Sequence, residues 1–238
     1  MHKSIYLALD FPNWADSKQF LESNNLQGIP VKVGMELFYH EGPYVIEKLK
    51  ENNHPIFLDL KLHDIPTTVM KAMKNIAKLE VDMVNVHALG GSEMIKSAKE
   101  GLDSDCSNGH QTKLIAVSLL TSIDKQMMNN ELLLPGELDK YAVHFASNAK
   151  QNGADGVVCS VHEATQMKAT CGSSFLTVTP GIRLKQASSD DQKRIATPDF
   201  ARENGSDVLV IGRSVTKAAD PYQAYKQVMK EWQHGIKI

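Results

Sequence analysis

Charged side chains occur where short apolar runs of the sequence end or are interrupted. Lys32 lies inside such a run, between Val31 and Val33, and Asp10 directly follows the first run. An ammonium among apolar neighbours is costly unless carboxylates pair with it. Lysine and aspartate side chains held together in this way could move a proton or stabilise a charge that develops during a reaction.

The third apolar run carries Asp59 and Lys61, and Asp64 follows closely. Residues two apart in a strand share a face, so Asp59 and Lys61 are predicted to point one way and the intervening leucines the other. A salt-bridge cluster that only holds the fold together is the alternative. Because a buried ion network costs desolvation energy that an aliphatic core avoids, we favour a catalytic role for these residues.

Two glycine–arginine pairs follow the last two apolar runs. Thr179-Pro180-Gly181-Ile182-Arg183 ends the seventh run and Ile211-Gly212-Arg213-Ser214 ends the eighth. Glycine lets backbone amides approach an anion closely, and arginine can donate two hydrogen bonds to its oxygens. Two such pairs on neighbouring strands predict a phosphate-binding site, and an ordinary turn is the alternative for each.

Eight apolar runs alternate with segments of helical spacing. The runs are residues 5–9, 30–34, 55–61, 83–87, 114–120, 156–161, 175–179 and 208–212. This alternation predicts a parallel sheet covered by helices, and eight strands in this length predict an α/β protein with a single-domain (β/α)8 TIM barrel over residues 1–238. An open doubly wound sheet is disfavoured, because the chain has neither a glycine-rich dinucleotide fingerprint nor a Walker lysine loop.

Barrel chemistry collects at the carboxyl ends of the strands, where all these charged residues are placed. The connection over about residues 183–198 also lies at that end, and its polar sequence predicts a mobile lid.

The whole-chain composition narrows the class of partner. The 238 residues include 26 basic and 28 acidic side chains, so the net charge of −2 gives no general attraction to nucleic acid or to an anionic membrane. Three cysteines are too few for a disulfide framework, and no apolar stretch is long enough for a signal peptide or a membrane helix. We therefore expect a soluble cytoplasmic protein.

Four strings taken together resemble the orotidine 5′-phosphate decarboxylase family. They are Asp59-x-Lys61-x-x-Asp64, Leu119-Leu120-Thr121-Ser122, Thr179-Pro180-Gly181-Ile182-Arg183 and Ile211-Gly212-Arg213. The likeness covers essentially the whole chain. Related sugar-phosphate barrels share the first string, but its combination with Lys32 and the two phosphate strings is specific.

The resemblance implies that the protein decarboxylates orotidine 5′-monophosphate to UMP and CO2, the last step of de novo UMP biosynthesis, without metal or cofactor. It implies a catalytic tetrad of Lys32, Asp59, Lys61 and Asp64 in a homodimer, with Asp64 contributed by the partner subunit. Lys61 would protonate C6 of the pyrimidine. Because the sequence holds no Schiff-base, thiamine or pyridoxal motif, the carbanion at C6 must be stabilised electrostatically.

The resemblance also implies further substrate-binding residues. Asp10 and Lys32 would hold the ribose, and Thr67 and Thr68 would reach the neighbouring subunit's site. The others are Thr121 at the pyrimidine ring and Pro180, Arg183, Gln192, Gly212 and Arg213 around the phosphate.

Three other interpretations of these residues stay open. His63 and His87 could join the aspartates in a metal site, but Lys32 and Lys61 would crowd a divalent cation. A Mg²⁺-dependent keto-sugar-phosphate decarboxylase or hexulose-phosphate synthase would resemble this chain, yet those enzymes carry an acidic metal ligand where this chain has Lys32. A barrel that senses a nucleotide phosphate without reacting would need the phosphate grip but no ammonium beside the ring.

Overall fold

The computed structural model describes residues 4–104, 109–184 and 195–234. Eight parallel strands in these residues form a closed barrel in chain order, with β8 paired to β1. The strands are β1 (Ser4–Ala8), β2 (Val31–Gly34), β3 (Ile56–Leu62), β4 (Met83–His87), β5 (Lys113–Val117), β6 (Gly156–Val158), β7 (Leu176–Thr179) and β8 (Val208–Ile211). The predicted (β/α)8 barrel is confirmed.

Helices follow each strand and cover the outside of the barrel. They are α1 (Trp14–Ser23), α2 (Met35–Glu41), α3 (Tyr44–Glu51), α4 (Pro66–Ala77), α5 (Gly91–Asp103), α6 (Lys125–Asn130), α7 (Leu138–Gln151), α8 (Val161–Cys171), α9 (Pro198–Glu203), α10 (Arg213–Thr216) and α11 (Pro221–His234), with a 3₁₀ turn at Ala88–Gly90. Within the described ranges, no helix combines the length and apolar character that crossing a bilayer requires.

All eight predicted strands are present, but the fifth and sixth end earlier than predicted. β6 ends at Val158 rather than at residue 161, because Ser160 caps α8. The Glu163 carboxylate accepts a hydrogen bond from the Ser160 amide at 2.9 Å and completes a capping box. β5 ends at Val117 rather than at residue 120, and the residues beyond it reach the mouth of the barrel.

Two apolar clusters divide the core. The larger lies between the sheet and the helices and includes Leu58 and Leu60, with Leu62 packed against it. The smaller fills the barrel interior with Tyr6, Ala8, Phe57, Met83, Ile115, Leu176, Val178, Val208 and Val210. The alternation predicted for β3 is therefore confirmed: the leucines face the helices, and the residues between them face the barrel axis.

Three aspartates join neighbouring strands at the amino-terminal base of the barrel. Each precedes an even-numbered strand and accepts a hydrogen bond from an amide at the start of the strand before it. The pairs are Asp82 with Ile56 at 2.7 Å, Asp155 with Leu114 at 2.9 Å and Asp207 with Thr177 at 2.9 Å. We call Asp82, Asp155 and Asp207 the base aspartates; each carboxylate supplies an acceptor for a backbone amide at the base of the sheet.

Candidate active site

A cavity of about 220 Å³ lies at the carboxyl ends of the strands. Apolar side chains from the barrel interior, including Phe57, Val117 and Val210, form its floor, and polar groups form its walls. The predicted site residues that line it are Asp10, Lys32, Asp59, Lys61, Thr121, Pro180, Arg183, Gly212 and Arg213. Chain segments far apart in sequence thus meet at one site.

Lysine and aspartate alternate along one wall of this cavity. Lys32 Nζ lies 3.2 Å from Asp10 Oδ1 and 3.2 Å from Asp59 Oδ2. Asp59 Oδ1 lies 2.6 Å from Lys61 Nζ. The side chains of Lys32 and Asp59 are only 10% and 13% exposed, so water screens their contact weakly. We call this the ion row: Asp10 follows β1, Lys32 lies within β2, and Asp59 and Lys61 lie within β3.

The neighbours in the ion row stabilise each other's charged forms. Burial by itself would lower the pKa of Lys32, but the Asp59 and Asp10 carboxylates outweigh it and raise that pKa above its usual value. Burial would likewise raise the pKa of Asp59, yet Lys32, Lys61 and the hydrogen bond from Asn85 hold it below its usual range. Lys32 is therefore a cation and Asp59 an anion at neutral pH.

A local irregularity in β3 places Lys61. β3 pairs with β4 at Leu58↔Val84 and next at Leu62↔Val86, so β3 carries two extra residues between these points. Lys61 lies in this bulge with φ of 52°, a left-handed conformation unusual for lysine. Its amide donates to Asn85 Oδ1 at 2.7 Å.

Asn85 and Gly34 are two residues of this site that the sequence analysis missed. Asn85 is fully buried and also donates from Nδ2 to Asp59 Oδ1 at 2.7 Å. Its signal in the sequence is an amide between two valines, at an inward position of its strand. A Cβ added at Gly34 would lie 3.1 Å from Lys32 Nζ, so glycine leaves the room that the ammonium occupies. A glycine two residues after a buried lysine is a weak signal.

The two loops with glycine–arginine pairs contact each other. The Ile182 carbonyl accepts from Arg183 Nη1 at 3.0 Å and from the Ser214 hydroxyl at 3.3 Å. Gly181 has φ of 80°, which brings the β7 loop back towards the cavity. The Arg183 side chain is largely buried, and together with Arg213 it lines the cavity.

Three of the predicted site residues that the structure describes do not lie in the cavity wall of this chain. Asp64, Thr67 and Thr68 are exposed on and before α4, and Asp64 accepts a hydrogen bond from the Ile65 amide at 2.7 Å. Gln192 and most of the predicted lid lie outside the described residues. The roles of all these residues stay predictions.

The two histidines weighed as metal ligands stack on each other. The rings of His63 and His87 lie 5.5 Å apart with an interplanar angle of 20°. Burial and the nearby charges of His63 and Lys61 lower the pKa of His87. Neither ring lines the cavity, and the Asp59 oxygens contact ammonium and amide groups instead.

The cavity has an excess of positive charge although the whole chain is slightly acidic. Among the residues that the structure describes, Lys32, Lys61, Arg183 and Arg213 face it, against Asp10 and Asp59. A binding site with two net positive charges suits a small ligand that carries several negative charges.

Comparisons with known proteins agree on one family. A model of the family described as orotidine 5′-phosphate decarboxylase / HUMPS matches residues 3–228. Proteins named orotidine 5′-phosphate decarboxylase from Bacillus cereus strains AH820 and 03BB102 are each 51% identical over 239 residues, which cover all of this chain and all of the relative.

Solved structures give the same picture. An orotidine 5′-phosphate decarboxylase from Lactobacillus acidophilus superimposes with a TM-score of 0.85 at 43% identity, covering 97% of this chain and 99% of that one. An uncharacterized conserved protein from Geobacillus kaustophilus also has a TM-score of 0.85, at 46% identity, covering 96% of this chain and 99% of that one.

Proposed function

Because the chain belongs to the orotidine 5′-phosphate decarboxylase / HUMPS family, we propose that it converts orotidine 5′-monophosphate to UMP and CO2 with Lys61 as the proton donor. Full-length relatives at 51% identity carry the decarboxylase name, which places the chain with the enzymes that complete UMP biosynthesis, EC 4.1.1.23. The family resemblance stated from the sequence is thereby confirmed. The catalytic mechanism below is our proposal.

The ion row is the main observation that supports this proposal. It places the Lys61 ammonium at the edge of an apolar cavity floor, where a flat pyrimidine ring can rest on Phe57, Val117 and Val210. Lys32 is held in turn between two carboxylates at 3.2 Å. Such prearranged charges act strongly in a site from which water is excluded, because they need not reorient during the reaction.

The proposed reaction breaks the bond between C6 and the substrate carboxylate. The bonding electron pair stays on C6, CO2 leaves as a neutral molecule, and the Lys61 ammonium stabilises the resulting carbanion. Lys61 Nζ then gives a proton to C6, which forms the new C–H bond, and the lysine later takes up a proton from solvent. Asp59, 2.6 Å from Nζ, orients the ammonium towards C6.

The phosphate-binding loops supply binding energy far from C6. We propose that Arg213 and the Gly212 amide hold the phosphate, with Arg183 and Gln192 beside it, and that residues 183–198 close over it. Asp10 and Lys32 would hold the ribose, and Thr121 would contact the ring. A substrate that lacks the phosphate should lose turnover as well as affinity, since such remote binding energy is realised in the transition state.

We further propose that a homodimer completes the site. Asp64 is exposed outside this chain's cavity, beside an Ile65 side chain that is 67% exposed. A carboxylate exposed away from its own chain's cavity can reach the site of a second copy. In the dimer, Asp64 would extend the partner's ion row beyond Lys61, and Thr67 and Thr68 would lie near the same site.

Specific residues argue against two other functions. The metal-dependent sugar-phosphate branch needs an acidic ligand on the second strand, and Lys32 stands there, within 3.2 Å of two carboxylates. A phosphate sensor would not require the buried ion row. We therefore expect activity without metal or cofactor, and a cytoplasmic location stays a prediction.

The deciding experiment follows the loss of orotidine 5′-monophosphate absorbance with purified protein, in EDTA and in Mg²⁺. We expect equal turnover in both, none with Lys61→Ala, and normal turnover with Lys48→Ala, whose side chain pairs with Glu51 on an exposed helix. UMP should still bind the Lys61→Ala protein. Turnover only with Mg²⁺, or full turnover by Lys61→Ala, would refute the proposal.

A further inference from the structure

Asn85 links the two groups that determine where the Lys61 ammonium lies. Its Oδ1 accepts from the Lys61 backbone amide at 2.7 Å, and its Nδ2 donates to Asp59 Oδ1 at 2.7 Å. The same Asp59 oxygen accepts from Lys61 Nζ at 2.6 Å. One side-chain amide therefore holds both the backbone of Lys61 and the carboxylate that contacts its ammonium.

The orientation of the Asn85 amide follows from its partners. A backbone N–H can only donate and an ionised carboxylate can only accept, so the oxygen must face Lys61 and the nitrogen must face Asp59. Asn85 is 0% exposed, and water cannot replace either bond from outside. Aspartate at this position would keep the acceptor but lose the donor, and leucine would lose both.

The bulge in β3 explains why Lys61 needs this contact. Between Leu58 and Leu62 the regular pairing with β4 is interrupted, so the Lys61 amide finds a side chain where a strand would supply a carbonyl. Lys61 also has φ of 52°, a conformation that persists only when its surroundings fix it.

We infer that Asn85 is a positioning residue of the reaction: it fixes the Lys61 backbone and the Asp59 carboxylate so that the Lys61 ammonium points at the reacting carbon. This inference rests on the proposed role of Lys61. Asn85 does not line the cavity, so it acts through these two residues and not on the substrate. Its β5 neighbour in the sheet is the apolar Ile115, which offers no alternative partner.

The first test is Asn85→Leu, which keeps a similar volume and removes both hydrogen bonds. We expect kcat to fall by about 100-fold or more, the loss associated with a misplaced catalytic group. Because the phosphate loops and Asp10 are untouched, UMP affinity should change by less than about threefold. Thr177→Val is the matched control: it removes a buried hydroxyl that bonds the Gly205 carbonyl at 3.0 Å at the base of the barrel, and its folded protein should keep the full kcat.

The second test uses Asn85→Asp, which preserves the shape. A protonated carboxyl has one O–H donor and one carbonyl acceptor, as the amide does, whereas the ionised form cannot donate to Asp59. Asp59 is the anion that faces it, Lys61 and Lys32 are the nearby cations, and Ile115 on β5 is neutral. Because the Asp59 carboxylate repels a second anion at 2.7 Å, we expect the kcat of Asn85→Asp relative to wild type to rise as pH falls from 8 to 5, by up to about tenfold per unit.

The outcomes are distinct. A folded Asn85→Leu protein with kcat within about threefold of wild type would refute the inference, as would an Asn85→Asp ratio that stays flat across this pH range. If Asn85→Leu does not fold, the Asn85→Asp profile decides. Absence of turnover by the wild-type protein would refute the proposed function itself, and full turnover by Lys61→Ala would refute the role of Lys61 on which this inference rests. An inactive Lys61→Ala with an unaffected Asn85→Leu would refute only the role of Asn85.

Discussion

Gly34→Ala places one methyl group against the Lys32 ammonium and leaves the backbone in an allowed conformation. Gly34 has φ of −91° and ψ of −178°, an extended geometry that alanine adopts freely. The added Cβ would lie 3.1 Å from Lys32 Nζ and 3.4 Å from Asp10 Oδ1. The first distance is shorter than a comfortable contact and the second is an ordinary one, so the ammonium must move by a few tenths of an ångström.

The size of the effect follows from the ion row. Moving Nζ from 3.2 Å to about 3.6 Å from Asp59 weakens their attraction by about 0.6 kcal/mol at an effective dielectric constant of about 20. Asp10 is 63% exposed, so solvent screens its share and the total stays near 1 kcal/mol. We expect kcat/KM for orotidine 5′-monophosphate to fall about three- to fivefold.

The free energy of unfolding of Gly34→Ala should change little, although its kcat/KM falls. Replacing glycine by alanine at a compatible backbone position stabilises by about 0.4–1 kcal/mol through the unfolded chain, which offsets most of the strain. Urea unfolding measures the free energy of unfolding of the variant. UMP affinity in a double-mutant cycle with Lys32→Ala tests whether the loss of activity acts through Lys32. If Gly34→Ala acts through Lys32, it changes UMP affinity little in the Lys32→Ala background. Fully additive losses, or an unchanged kcat/KM, would refute this reasoning.

Three further predictions concern stability. The pKa of Asp59 is lowered in the folded protein, so its ionised form stabilises the fold above its unfolded pKa of about 3.9, and this contribution is lost as pH falls. The difference in unfolding free energy between wild type and Asp59→Asn, measured with urea, should therefore narrow below about pH 4. A difference that stays constant would contradict this prediction. Asp207→Ala removes the carboxylate that pairs with the Thr177 amide and Lys168, and should lower the free energy of unfolding by about 2–3 kcal/mol without changing kcat. A lowered kcat in the folded variant would show that the base of the barrel and the active site are not independent. Ser160→Ala removes the helix cap of α8 and should cost about 1 kcal/mol in the same assay, with Ser173→Ala as a surface control.

Most of the barrel could be predicted because each strand lies in a mainly apolar run long enough to form one strand of the barrel wall. The position of Lys61 inside the cavity followed from its spacing to Asp59. Its left-handed backbone did not, since the bulge depends on how β3 meets β4 and no single residue encodes it. The early end of β6 was encoded in the spacing of Ser160 and Glu163, a capping box that the apolar run concealed.

The charged site was predictable to a different degree for each residue. Lys32 and Asp59 were visible as charges inside apolar runs. Asn85 carries no charge, and its importance depends on two hydrogen bonds formed across strands. Asp64 lies five residues after Asp59, where the chain has left β3, and it is exposed in this chain, so its predicted place in the partner's site stays a prediction.

The base aspartates divide the barrel into units. Each carboxylate contact joins an odd strand to the following even strand, β3 to β4, β5 to β6 and β7 to β8. Between β4 and β5, Asp82 contributes only its backbone carbonyl, which accepts from the Lys113 amide at 2.9 Å. A chain cut between α5 and β5 would keep all three contacts, one in the first half-barrel and two in the second. A cut between α4 and β4 would separate Asp82 from Ile56. The connection between α5 and β5 is therefore the natural place for new termini in a circular permutant, or for joining two halves expressed as separate chains.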